Sequence, residues 1–356
     1  MSTVILAIST EIFYTRIAVS EDENIFYQCD IDHAKDDFVQ MDNIVDQLPF
    51  RREAIMNRLQ RDAVNISSVQ YVVAEGGLLK PCKSGVYEID KDMVGDLIDG
   101  VGGDDIVNMA GLLAFTIANI LRVKSLVVDP ASVDERSELA SFFSHPITKK
   151  KSLFHALVHK YLSKKYAKSI NKKYEEMNII FCHVSDRNVS VAAHKKGRVV
   201  DVNQAYMGFG PMGFFETGTM PVSNVIDMIF KKHYAKDEML KLINRNATFN
   251  YYVATNSCDK IMSSLKKDNK MNVILETMTY QIAKEIASHY VTLDAEIDAI
   301  VLSGKIFADK RFFKCLSQRI TNLAPIISYP KDYTIDALVY NVLQIVNGNE
   351  KIKMYN

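Results

Sequence analysis

Apolar and polar residues run through this chain in two successive cycles. In the first, Val4–Ile8, Thr15–Val19 and Ile25–Ile31 are short runs rich in β-branched and aromatic residues, the pattern of three consecutive strands. Apolar positions then recur at helical spacing through Phe38–Leu48 and Arg51–Ala63. A strand at Val69–Ala74, a long apolar helix over Asp104–Arg122 and a buried-type strand at Ser125–Asp129 complete the cycle. From Leu153 it starts again. Leu153, Leu157, Tyr161 and Tyr166 mark a helix, Ile179–Cys182 an apolar strand, and Asn188–His194 with Arg198–Asn203 a hairpin around Lys195, Lys196 and Gly197. Further helices follow, then a strand at Ile297–Leu302, a helix at Lys310–Leu323, a strand at Ile326–Tyr329 and a last helix at Ile335–Val346. The repetition implies two similar mixed α/β domains with a cleft between them.

Composition narrows the function classes. The chain has 356 residues, 48% of them hydrophobic, which is enough for two packed domains. Its 43 basic and 43 acidic side chains cancel, so no charge bias recommends nucleic acid or an anionic membrane as a partner. Lys149, Lys150, Lys151, Lys160, Lys164, Lys165, Lys168, Lys172 and Lys173 accompany the helical segment and read as its solvated face rather than a polyanion site. Cys29, Cys82, Cys182, Cys258 and Cys315 are scattered, without a CxxC pair, and suggest neither a zinc site nor a disulfide framework; no metal is expected. The opening MSTVILAIS is short and has no basic leader, and no segment reaches the length of a membrane span. A soluble, cytoplasmic protein is the expectation.

Several longer motifs stand in order along the chain: EGGLLKP at Glu75–Pro81, VDP at Val128–Pro130 with Val133-Asp134-Glu135, KSLFHAL at Lys151–Leu157 and SVAAHKKGRVVDVNQA at Ser190–Ala205. GTMP at Gly218–Pro221, YQIAKEI at Tyr280–Ile286, DAIVLSG at Asp298–Gly304 and APIISYP at Ala324–Pro330 follow. In motif, order and spacing the chain resembles, nearly end to end, the butyrate kinases of the acetokinase family. The resemblance implies the actin-like (ribonuclease H-like) ATPase fold. It places an amino-terminal domain at 1–150 and a second at 151–334, with the carboxy-terminal helix within 335–356 returning to the first. It also implies association through the second domain, as a homo-oligomer or a hetero-oligomer with an active paralogue.

The same resemblance marks where catalysis would reside, and there the chain departs from the family. The family's first phosphate loop, Asn-Pro-Gly-Ser-Thr-Ser-Thr-Lys, aligns with Ser9 to Arg16; only Thr15 and the charge of Arg16 survive, and Glu11 replaces the glycine. The second phosphate turn reads Ser185, Asp186, Arg187 where the family has three glycines. Arginines of the family fall on Glu75, Ser141 and Glu216. Two unit charges about 4 Å apart interact by roughly 4 kcal/mol at an effective dielectric of about 20, so each reversal to glutamate turns an attraction of that order into repulsion. The helix-start histidine becomes Asp105, the glutamate associated with magnesium becomes Thr334, and the Gly-Gly pair under adenosine becomes Gly304-Lys305.

Three positions match the family: Asp129 falls on its metal-organising aspartate, Asn108 on its asparagine, and His155 on a histidine near the transferred phosphoryl. Each has a plainer reading. Asp129 before Pro130 is the chemistry of a strand-ending turn, Asn108 lies early in a helix, and His155 sits among apolar neighbours as a core histidine would. Phe209, Phe214 and Phe215 cluster near Glu216 and read as packing for an emptied pocket.

Loss at so many contacts together predicts a degenerate kinase acting as a non-catalytic or regulatory subunit, with no cofactor expected. The alternative is a working short-chain carboxylate kinase that uses ATP and Mg²⁺ to form an acyl phosphate, with Asp129, His155 and Arg16 or Arg187 in shifted roles. A third class, a sensor taking a cation or amine in an acidic cleft edged by Lys305, is separated from both by ligand-dependent stabilisation.

Overall fold

Strand β1 (Val4–Thr10) is apolar at every position from Ile5 to Ile8 because both of its faces are covered. Leu6 and Ile8 point into one hydrophobic cluster, Ile5 and Ala7 into another, as the two-residue period of a strand requires. The computed structural model describes residues 2–38, 41, 43–142, 145, 150–245, 247–253, 258–264 and 269–355.

In chain order β1 is followed by β2 (Tyr14–Glu21), β3 (Asn24–Asp32), α1 (Leu48–Arg61), β4 (Tyr71–Glu75), β5 (Val86–Glu88), α2 (Lys91–Asp99), α3 (Asn108–Leu121), β6 (Lys124–Val128), α4 (Glu138–Ser141) and α5 (Ala156–Ser169). Next come β7 (Asn178–Val184), β8 (Val189–Lys195), β9 (Arg198–Val202), α6 (Val222–Phe230), α7 (Lys236–Asn244), α8 (Thr248–Val253), α9 (Cys258–Ser264) and α10 (Asn269–Thr292). The chain closes with β10 (Ala299–Ser303), α11 (Lys310–Ile320), β11 (Ile326–Tyr329) and α12 (Thr334–Val346).

These elements form two units. One comprises Met1–Asp134, Ala156–Tyr161 and Tyr333–Asn356, the other Glu135–His155 and Leu162–Asp332. The first holds a sheet in the order β3-β2-β1-β4-β6-β5: an antiparallel meander of β1 to β3, extended by β4 and β6 parallel to β1, with β5 antiparallel at the edge. Ile55 and Leu59 of α1 and Leu113 and Ile117 of α3 cover one face. Leu338 and Val342 of α12 cover the other. The second sheet, β11-β10-β7-β8-β9, repeats the scheme, with β7 to β9 as the meander and β10 and β11 parallel to β7. Leu275, Met278 and Ile282 of α10 and Phe312 and Leu316 of α11 fill its core.

Most expected strands stand within two residues of their places, and four expectations are corrected. A helix over Phe38–Leu48 does not form: 3₁₀ turns occupy Lys35–Phe38 and Ile44–Gln47, and residues 39, 40 and 42 lie outside the described set. Asp46 bonds back to the amide of Asn43 at 3.0 Å, which closes a turn, and the α-helix starts only at Leu48 with a proline in its first turn. The helix expected from Asp104 starts at Asn108, because the Asp105 carboxylate takes the Val107 amide at 3.1 Å in a local turn. The sequence pattern also passed over β5 and α2; the latter is capped by Asp90 accepting from the Met93 amide and stopped by Gly100 in the left-handed region at φ 61°. Lys160, assigned to a solvated face, is only 2% exposed; Lys165, Lys168, Lys172 and Lys173 are exposed as expected, and Lys149 is outside the described residues.

Candidate functional site

In the first unit the candidate residues gather where the parallel strands end, the position at which open α/β sheets bind their ligands. Ser9 and Thr10 close β1, Glu75 closes β4, and Asp129 follows β6. Glu75 Oε1 accepts from the Ser9 hydroxyl at 2.7 Å and from the Thr10 amide at 3.2 Å. Asp129 sits at φ 38°, a left-handed conformation uncommon for a residue with a side chain. Its Oδ1 accepts from the Ser84 hydroxyl at 2.6 Å and the Gly85 amide at 2.7 Å, which holds it there. Asn108 is a structural clasp. Its Oδ1 takes the Leu78 amide at 2.7 Å and its Nδ2 donates to the Gly103 carbonyl at 2.9 Å, fixing the Gly76-Gly77 turn to the start of α3. Gly77 must be glycine, since a Cβ there would lie 2.4 Å from Asn108 Oδ1.

The loop between β1 and β2 is built around a cation that the sequence reading missed. Arg51, fully buried on α1, donates to the carbonyls of Glu11 at 3.1 Å, Ile12 at 2.8 Å and Tyr14 at 3.2 Å, and to the Thr15 hydroxyl at 2.9 Å. The loop therefore turns these carbonyls inward onto a guanidinium. Burial pushes the Arg51 pKa down to about 10, opposed by the charge of Glu11. Thr15 is also bonded to His33 Nε2 at 2.8 Å; burial, and then the charge of Arg51, lowers that imidazole to about 4, so it is neutral near pH 7. Arg16, expected to retain a phosphate-binding charge, instead makes a two-pronged ion pair with Asp30 of β3 at 2.5 and 2.6 Å. The missed signal was the spacing Arg51, Ile55, Leu59, which sets the arginine on the buried stripe of α1.

The second unit carries its own polar cluster, at the ends of β7 and β10 and the start of β8. His183 lies in register between Ser190 and Ser303. Its Nδ1 meets Ser303 Oγ at 3.2 Å, while His155 Nδ1 meets Ser190 Oγ at 2.7 Å, and the two rings lie 4.6 Å apart. Burial lowers His183 to about 4. Burial, followed by the neighbouring His183 and the positive charge of Arg187, holds His155 well below the usual imidazole range. Arg187 is buried and stands 5.8 Å over the Tyr206 ring.

The turn after β7 is closed on itself. Ser185 Oγ accepts from the amides of Arg187 at 3.1 Å and Asn188 at 3.0 Å, so a side chain of the turn holds amides that a glycine loop would present to an anion. Glu216, 2% exposed, accepts from Asn188 Nδ2 at 3.0 Å. Asp186 and Lys305 face each other at 3.8 Å. Gly304, at φ 130°, packs so closely that a Cβ would lie 2.1 Å from the Val184 carbonyl oxygen. Phe214 and Phe215 are buried in this unit's own core, and Phe209 lies 5.8 Å from the Lys150 ammonium. Ser141 ends the one-turn helix α4 and donates to the Ser137 carbonyl at 3.2 Å. Among the described residues no three or more His, Cys, Asp or Glu side chains converge as a metal site, and no helix is long and apolar enough to cross a membrane.

Comparison with known proteins agrees with this architecture. Residues 143–319 match the model of the acetokinase family. Over 342 residues, 96% of each chain, the protein is 35% identical to butyrate kinase 2 and 33% identical to butyrate kinase 1 of Clostridium acetobutylicum. Among solved structures, acetate kinase from Entamoeba histolytica superposes with a TM-score of 0.75 at 13% identity, covering 97% of this chain and all of that one. Acetate kinase from Porphyromonas gingivalis gives 0.74 at 12%, with the same coverage, and a propionate kinase from Francisella tularensis 0.73 at 14%, covering 95% of this chain and 98% of that one. These structural matches establish the actin-like fold, and the two sequence matches establish lineage: the chain belongs to the acetokinase family and is butyrate kinase-like.

Proposed function

We propose that this chain is a catalytically degenerate member of its family that acts as a non-catalytic or regulatory subunit, in a homo-oligomer or with an active paralogue. The observation that carries the reading is Glu216. A buried carboxylate bonded to Asn188 stands where, by the family resemblance, a guanidinium would stabilise the transferring phosphoryl group. The neighbouring turn supports it, because Ser185 consumes the Arg187 and Asn188 amides. Phosphoryl transfer depends on positioning and charge stabilisation, and loss of one stabilising donor typically costs about 10²- to 10³-fold in rate. On this reading the carboxylates Glu75 and Glu216 oppose the phosphates of ATP, and ATP with Mg²⁺ is assigned no step. Helix α6 supports an oligomer: Val222, Ile226 and Phe230, spaced along one face, are 74%, 49% and 73% exposed. The test is acyl phosphate formation from butyrate, ATP and Mg²⁺ by the purified protein, trapped as the hydroxamate. The expected result is no product above background; turnover at ordinary kinase rates would overturn the proposal.

A second reading, an active short-chain carboxylate kinase using ATP and Mg²⁺, is favoured by one cluster. His155 and His183 are neutral imidazoles beside the buried cation Arg187, a polar site with retained charge. Calorimetric titration with Mg-ATP separates the readings, since a saturable isotherm supports the enzyme and a flat trace the subunit.

A further inference from the structure

The donors at the end of β1 point to a chemical role for Glu75 beyond the loss of an arginine. Ser9 and Thr10 are 9% and 3% exposed, so the Ser9 hydroxyl and the Thr10 amide need an acceptor wherever water does not reach them. Both converge on one atom, Glu75 Oε1, at 2.7 and 3.2 Å. The Thr10 side chain is committed elsewhere, donating to the Ile106 carbonyl at 2.9 Å, which fixes the backbone that aims the amide. A hydroxyl and an amide converging on an anionic oxygen where parallel strands end form a small oxyanion-binding pair. Here the oxygen belongs to the chain.

We propose that Glu75 is a tethered anion, an autoinhibitory contact that keeps the Ser9 and Thr10 donors from any free oxyanion. A carboxylate held in place on the same chain competes as an intramolecular, already oriented partner, whose effective molarity a free ligand in the millimolar range does not match. Removing the carboxylate exposes both donors and lifts one negative charge from their neighbourhood. The ligand class that then enters is a tetrahedral oxyanion, with modest affinity because the Asp129 carboxylate, directly after β6, stands at the same end of the sheet. The inference rests on the non-catalytic reading only in treating the native site as closed; it concerns binding, not turnover.

The test is isothermal titration of inorganic phosphate into the native chain, Glu75→Ala, Glu75→Ser and the double variant Glu75→Ala/Ser9→Ala, at matched ionic strength in chloride, with ADP as a parallel ligand. Phosphate affinity is expected to rise about tenfold or more in Glu75→Ala and Glu75→Ser, and to fall back in the double variant. Native affinity equal to that of the variants, no gain in either folded variant, a gain that survives Ser9→Ala, or a gain confined to ADP would each overturn the proposal. Glu75→Ser supplies the answer if the alanine variant does not fold. Acyl phosphate formation by the native chain would overturn the functional reading instead and leave this binding result to be judged by itself.

Discussion

Arg51 decides more about the shape of the loop between β1 and β2 than any residue inside that loop. Its guanidinium collects the carbonyls of Glu11, Ile12 and Tyr14, and the Thr15 hydroxyl completes the set. Replacing Arg51 with methionine keeps the apolar stem and strands those buried acceptors. A loss of roughly 3 kcal/mol of stability is expected, read as a lower urea midpoint together with faster amide exchange at residues 11–15. An unchanged midpoint would show that the loop holds its shape without the cation. Asn108 and Thr15 do structural work: Asn108 joins Leu78 to Gly103, and Thr15 joins Arg51 to His33. Their identities were legible in the sequence, but their partners, thirty or more residues away for Leu78 and Arg51, were not.

Helix α6 shows the limit of pattern reading for an element. None of its residues is buried, although its composition is as apolar as that of helices in the core. Introducing Ile226→Asp and Phe230→Asp together places two charges on that face. If α6 mediates self-association, sedimentation should show the oligomer dissociating while the melting temperature of the chain changes little. An oligomer that persists unchanged would remove α6 from the interface. The strands behaved differently. β1, β7 and β10 were recognisable because strands covered on both faces are continuously apolar, whereas β5 has three residues and two of them are polar-edged aromatics or acids. The misplaced helix before α1 has a related cause: apolar residues at helical spacing also suit successive 3₁₀ turns once side chains such as Asp46 close them.

For the whole molecule, buried neutral histidines set the response to acid. Burial is the leading cause at each: His33, His183 and His289 titrate near 4 in the folded chain, and His155 is also held well below its ordinary 6.5. The unfolded chain binds these protons first. Stability linked to them is therefore complete above about pH 6.5, falls as the pH drops, and stops falling once the folded groups protonate near pH 4, with up to about 1.4 kcal/mol per pH unit for each group inside that window. Urea midpoints between pH 7 and 4 should decline with that sign, and His183→Gln should flatten the decline. A midpoint independent of pH across this range would contradict it.

The sequence by itself determined the two repeated α/β cycles, the family and, through the family resemblance, the loops in which to look for a site, because strand periodicity and ordered motifs are local and survive in one dimension. Only the tertiary structure decided what the residues in those loops do. Whether Glu75 repels a ligand or takes the Ser9 and Thr10 donors, and whether Arg16 greets a phosphate or Asp30, depends on hydrogen bonds between residues brought together by neighbouring strands. Such contacts are set by register and packing, which no spacing along the chain encodes.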